Sequence, residues 1–61
     1  MITQTIKAKD IKSGVVLVSS LDPTVTVLVD AVMDEGGYVL LFVDTGDCWE
    51  VGAEQEGLEL I

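Results

Sequence analysis

Turn-forming residues punctuate this chain so often that no stretch of ten or more residues keeps a helical apolar period. Gly14, Leu21-Asp22-Pro23-Thr24, Asp34-Glu35-Gly36-Gly37 and Asp44-Thr45-Gly46-Asp47 each interrupt it. The segments between them are short and β-branched, with ten Val, four Ile and five Thr in the whole chain. Such side chains are stiff at χ1 and suit a pleated, half-buried surface. The spacing predicts an all-β fold of five or six short antiparallel strands, arranged as a small barrel or a two-sheet sandwich. Closing the sheet would remove exposed edges, which matter in so Val-rich a chain.

The first strand is expected over Ile2 to Lys7, with Ile2, Gln4 and Ile6 on one side. Asp10 is placed to cap a single helical turn, and Gly14 to end it with a positive φ. Val15 to Ser20 reads as the second strand, followed by a turn in which Pro23 presets φ. Val25 to Met33 is the longest. Its odd positions Val25, Val27, Val29, Ala31 and Met33 form one apolar face, opposite Thr24, Thr26 and Asp30. Asp34 to Gly37 is the clearest hairpin signal. Tyr38 to Asp44 is apolar on both faces, so it is predicted to be a central, doubly covered strand. Cys48 to Val51 is a short strand, Gly52 to Glu56 a loop with room for one 3₁₀ turn, and Gly57 to Ile61 closes the fold.

Residues 1–61 make one domain. A domain this small hides only about 60% of its unfolded surface, so it needs a compact core or association with another chain. Cys48 is the only cysteine, which excludes an internal disulfide. His is absent, as is Cys-x-x-Cys, so no structural zinc site is expected. Hydrophobic residues are 49% of the chain and mean hydropathy is +0.52, high for a net charge of −8. A homo-oligomer is therefore expected, with contact carried by the edges or faces of Val25–Met33 or Val39–Val43. The first five residues have no basic and apolar signal-peptide pattern. No apolar run approaches the roughly 20 residues that span a bilayer. One free thiol fits a reducing, cytoplasmic setting.

Charge is segregated. Lys7, Lys9 and Lys12 against Asp10 leave residues 1–12 at +2, while ten carboxylates and no basic residue leave residues 13–61 at −10. That pattern argues against binding nucleic acid and for a protein partner with a basic surface. Asp34 and Glu35 on one turn and Asp44 and Asp47 on the next are the candidate contacts, with Trp49 as a core plug or an interface anchor. Asp30, mid-strand, is either an exposed edge charge or a partner for a lysine of the first segment.

Catalytic chemistry finds little footing. Without His there is no Ser-His or Cys-His pair, so Cys48 has no histidine base and is expected to be a small buried hydrophobe. Asp44 and Asp47 around Gly46 do not meet the ligand spacing of a calcium loop. Gly36-Gly37 sits beside two acids, which repel phosphate. No cofactor and no enzymatic activity are expected.

The order Lys7-Ala8-Lys9-Asp10-Ile11-Lys12-Ser13-Gly14-Val15-Val16, then Thr26 to Val29, Tyr38 to Gly46 and Trp49-Glu50-Val51, resembles small barrels of the Src-homology-3-like type. Among these it is most similar to short proteins of bacteriophages and bacteria, in which an Asp-x-Lys-x-Gly turn precedes a meander of strands. The resemblance covers almost the whole chain as a pattern of turns and apolar positions. It implies a barrel that binds through loops on one side. With one Trp, one Tyr and one Phe, the chain departs from members that grip proline-rich peptides. The expected function is that of a non-enzymatic acidic binding protein, phage-derived, that inhibits a host or defence protein by contact. The alternative is a structural subunit of a virion or another assembly.

The charge pattern carries a direct test. In about 50 mM salt, where phosphate attraction is strong, labelled duplex DNA or RNA should show no mobility shift with the protein. A measurable shift would overturn the acidic-surface expectation.

Overall fold

The turn signals become six strands in the computed structural model, which describes residues 2–19 and 21–61. In chain order these are β1 (Thr3–Lys7), a 3₁₀ turn (Ala8–Asp10), β2 (Val16–Val18), β3 (Thr26–Asp34), β4 (Tyr38–Val43), β5 (Cys48–Gly52) and β6 (Glu56–Leu60). They form one antiparallel sheet in the order β1-β6-β2-β3-β4-β5. The first and last strands pair, and the rest is a meander. The expected strand end at Ser20 lies outside the described residues.

The turns use the residues that their geometry demands. Between β3 and β4, Gly36 has φ +93°, and the Glu35 N–H donates to the Tyr38 carbonyl at 3.0 Å. Only glycine holds that φ without strain. Gly14 likewise sits at φ +95°, and its N–H reaches the Val29 carbonyl at 2.8 Å. Asp10 is not the cap expected of it: it is the last residue of the 3₁₀ turn, and Lys7 at the N-cap makes no side-chain cap bond.

Directly opposed residues of antiparallel strands share a face, so the register sorts the side chains. One face holds Leu17, Val27, Val29, Val32, Val39, Leu41, Val43, Trp49 and Val51. Val29, Val39, Leu41 and Val43 are buried there with Ala8 and Ile11, which cover that face from the chain after β1. The 3₁₀ turn touches β4, four places away from β1 in the sheet, so the sheet is strongly bent. The bend is held by backbone bonds from Ala8 N–H to the Gln55 carbonyl (2.8 Å) and from Lys9 N–H to the Ala53 carbonyl (3.0 Å).

Three expectations are corrected. The odd-numbered apolar face of β3 does not run its full length. The register shifts between Val29 and Ala31, so Asp30 is bulged, and Val32 instead of Ala31 or Met33 meets Leu41. An extra residue in one strand reverses the alternation beyond it. β4 is not central but next to the β5 edge, and only one of its faces is fully buried. Finally, β4 is paired on both sides and β3 is paired with β2 over Thr26–Leu28, so neither is an outer strand; the outer strands of the sheet are β1 and β5. The sheet does not close on itself.

Leu41 is 1% exposed and central to the core. Leu41→Ala should cost about 3 kcal/mol, a large share of the roughly 3–9 kcal/mol expected of a domain this size. Leu28→Ala, at 39% exposure on the other face, should cost clearly less. Urea unfolding midpoints with unchanged slopes check the comparison.

Candidate functional site

The two acidic turns predicted as contacts stand at opposite ends of β4. Asp34 and Glu35 belong to the β3–β4 hairpin, Asp44 and Asp47 to the β4–β5 turn. Six residues of extended chain separate them, about 20 Å at the usual strand rise. The two acidic turns, as a meander implies, do not share one end of the sheet.

Both turns use their carboxylates internally. Asp34 Oδ1 accepts from the Gly36 N–H at 2.9 Å. Asp44 Oδ1 accepts from the Leu28 N–H at 3.2 Å, while its own N–H donates to the Leu28 carbonyl at 2.9 Å. Asp47 Oδ2 accepts from the Thr45 hydroxyl at 2.9 Å. The Asp34 bond closes an Asx turn, the Asp44 bond ties its turn to β3 and the Asp47 bond is local to its turn; all three carboxylates belong to exposed residues. The Glu35 carboxylate has no hydrogen bond or ion pair among the described residues.

Trp49 lies in β5 opposite Leu41, on the core-facing side, yet it stays 38% exposed. It is not the plug of the core. β5 is an edge, so nothing covers the ring's outer side. Trp49 instead walls an apolar groove of about 350 Å³ with Leu17, Val27, Val51 and Leu58, and Leu21 and Val25 stand at its rim. Cys48, opposite Phe42 on the other face, is exposed instead of buried. The same alternation that turns Trp49 inward turns Cys48 outward.

The cations are concentrated on one carboxylate. Lys7 Nζ lies 3.0 Å and Lys9 Nζ 2.9 Å from the two oxygens of Glu54. The lysine hydrogen bonds, first from Lys9 and then from Lys7, hold the Glu54 carboxyl below its ordinary 4.5. The Glu54 hydrogen bond in turn raises Lys7 above 10.5. Asp30 is exposed at its bulge and makes no ion pair among the described residues. Sequence reasoning offered Asp30 as a partner for a lysine of the first segment and missed Glu54. The link runs between segments 45 residues apart or more, where only the fold brings them together.

No family model, curated protein or solved structure matches this chain. Among the described residues, no helix is long and apolar enough to cross a membrane.

The Glu54 clamp sets a pH dependence. Its folded pKa is depressed, so its contribution is present above pH 4.5 and is lost as pH falls through the lower folded value. Asp22, lowered first by the Thr24 hydroxyl and then by the Thr24 N–H, acts in the same direction below its ordinary 3.8. Lys7 is raised, so its contribution is complete below pH 10.5 and fades above it. Glu54→Gln should lower the thermal midpoint slightly at neutral pH. The difference from wild type should vanish in strong acid, as measured by circular dichroism melts across pH.

Proposed function

We propose that this chain is a non-enzymatic acidic binding protein that acts by contact with a protein bearing a basic surface. The distribution of charge carries the proposal. Two of the three lysines are tied to Glu54, and the exposed acidic turns of β3–β4 and β4–β5 make no ion pair among the described residues. A field of one sign steers an oppositely charged partner and raises its association rate. The pairing of first and last strands and the strong bend of the sheet support placement with the Src-homology-3-like barrels. The resemblance to phage proteins of that class supports a host or defence protein as the target, met in the host cytoplasm.

A specific observation favours a second role, as subunit of a homo-oligomer. The sheet face away from the core is apolar too. Val16, Leu40 and Phe42 are only half-buried there, and Leu28, Met33 and Tyr38 are exposed. A contiguous face of this kind is characteristic of interfaces. Light scattering at high micromolar concentration separates the roles: a large assembly favours the subunit, a monomer or small oligomer the inhibitor.

Because the two acidic turns are separated by more than the ~10 Å screening length at 0.1 M salt, they act independently. One should matter to a basic partner and the other should not. Asp34→Asn with Glu35→Gln, and Asp44→Asn with Asp47→Asn, should each leave folding nearly intact, within about 0.5 kcal/mol for the exposed hairpin pair. The pair that forms the contact should lower the association rate and flatten its salt dependence. If neither pair alters capture of any basic host protein, the charge only solvates the fold and the subunit role gains.

A further inference from the structure

The two sheet edges differ in what they offer. In an antiparallel pair, alternate residues exchange hydrogen bonds with the neighbour and the others point their N–H and C=O away. The bonds from Val43 N–H to the Asp47 carbonyl (3.1 Å) and from Ala53 N–H to the Gly37 carbonyl (3.2 Å) fix that phase for β5. Trp49 and Val51 are spent on β4, so Cys48 and Glu50 aim both backbone groups at open space. Gly52 aims its N–H there, while its carbonyl accepts from the Gln55 N–H at 2.9 Å. β5 has no neighbour on that side. The β1 edge, by the same logic, presents Thr3, Thr5 and Lys7. It has no aromatic anchor, and Lys7 is held by Glu54.

Side chains along β5 alternate in step with these groups. Trp49 and Val51 face the groove, and Glu50 faces the opposite side among apolar neighbours, across from Leu40. We propose that the free edge of β5 takes up an extended segment of the basic partner as an added strand. Its apolar side chains would pack beside Trp49, and a lysine or arginine would stand opposite Glu50. Main-chain bonds supply the binding, and the alternating side chains supply the choice. This deepens the acidic-binding role and rests on it.

Charge selects that occupant over a second copy of the chain. Antiparallel pairing of β5 with its own copy about Glu50 would set Glu50 against Glu50, with Asp47 and Glu54 close at the strand ends. Like charges directly opposed destabilise strand pairing. A strand with alternating apolar and cationic residues meets none of that repulsion and can use the exposed flank of Trp49.

The test uses the full chain with two capped heptapeptides, one alternating Lys and Val and the other alternating Glu and Val. Amide exchange followed by NMR reads the edge. The lysine peptide should slow exchange at Cys48, Glu50 and Gly52, and the glutamate peptide should not bind. Glu50→Pro removes an outward donor without touching the β4 ladder, and proline is tolerated on edge strands in that phase. It should weaken the lysine peptide about tenfold beyond the loss seen for Glu50→Gln, the scale of a net hydrogen bond or two. The same comparison runs on wild-type protein with the lysine peptide N-methylated at its edge-facing amides, should Glu50→Pro unfold. Equal binding by Glu50→Pro and Glu50→Gln, or by the methylated and unmethylated peptides, would overturn the added strand. It would leave the acidic-surface role standing. Failure of the lysine peptide to bind wild type at low salt overturns the added strand too, while capture of a folded basic protein then decides the broader role.

Discussion

The packing of Ala8 and Ile11 onto Val29, Val39, Leu41 and Val43 is the contact on which the rest of this structure depends. One sheet has no separate second layer to bury its apolar face. The chain solves this by bending the sheet until the segment after β1 reaches β4. The bend then needs a lock, because an open sheet relaxes toward a gentler twist. Backbone bonds from Ala8 and Lys9 to Gln55 and Ala53 provide it, and the Lys7–Glu54–Lys9 clamp sits directly over them. Exposed ion pairs add little to stability on their own. Here their larger effect is on the field of the molecule, since they tie up two of its three cations on one side.

The same solution leaves features that a larger protein would hide. The bent sheet does not close, so β1 and β5 stay as edges. Trp49, on an outer strand, stays 38% exposed although it faces the core side. The face away from the core keeps Leu28, Met33 and Tyr38 in solvent. Apolar surface of this extent in so acidic a protein needs protection from indiscriminate pairing. Glu50 on the free edge and Asp30 at the bulge are charges of the sort that edge strands use for it.

Much of this was legible in the residues. The hairpin at Asp34 to Gly37 and the turn at Asp44 to Asp47 follow from local turn chemistry, which needs only neighbouring residues. Gly14, Gly36 and Gly46 take up positive φ where a Cβ would be strained. The acids Asp34, Glu35, Asp44 and Asp47 were identifiable as exposed turn charges. Their separation across β4 followed from the meander itself. Cys48 was misjudged, and Trp49 was left open between core plug and interface anchor, for a different reason. Burial depends on which strands end up as edges, and that is a property of the whole sheet. A Trp in the middle strand of a sheet would be covered on both flanks, and the same residue in β5 is not.

What the sequence determined by itself is local: an all-β chain, the positions of its turns, and a surface dominated by carboxylates. Each depends on residues within a few positions of one another, or on composition alone. The tertiary structure decided the rest. It set Asp30 into a bulge, so that Val32 and not Ala31 or Met33 reaches the core. It brought Lys7 and Lys9 onto Glu54. It made β5 an edge, with the backbone of Cys48 and Glu50 turned outward. These outcomes depend on strand order and register, which are set by how the whole apolar face is buried at once, and no local pattern encodes that sum.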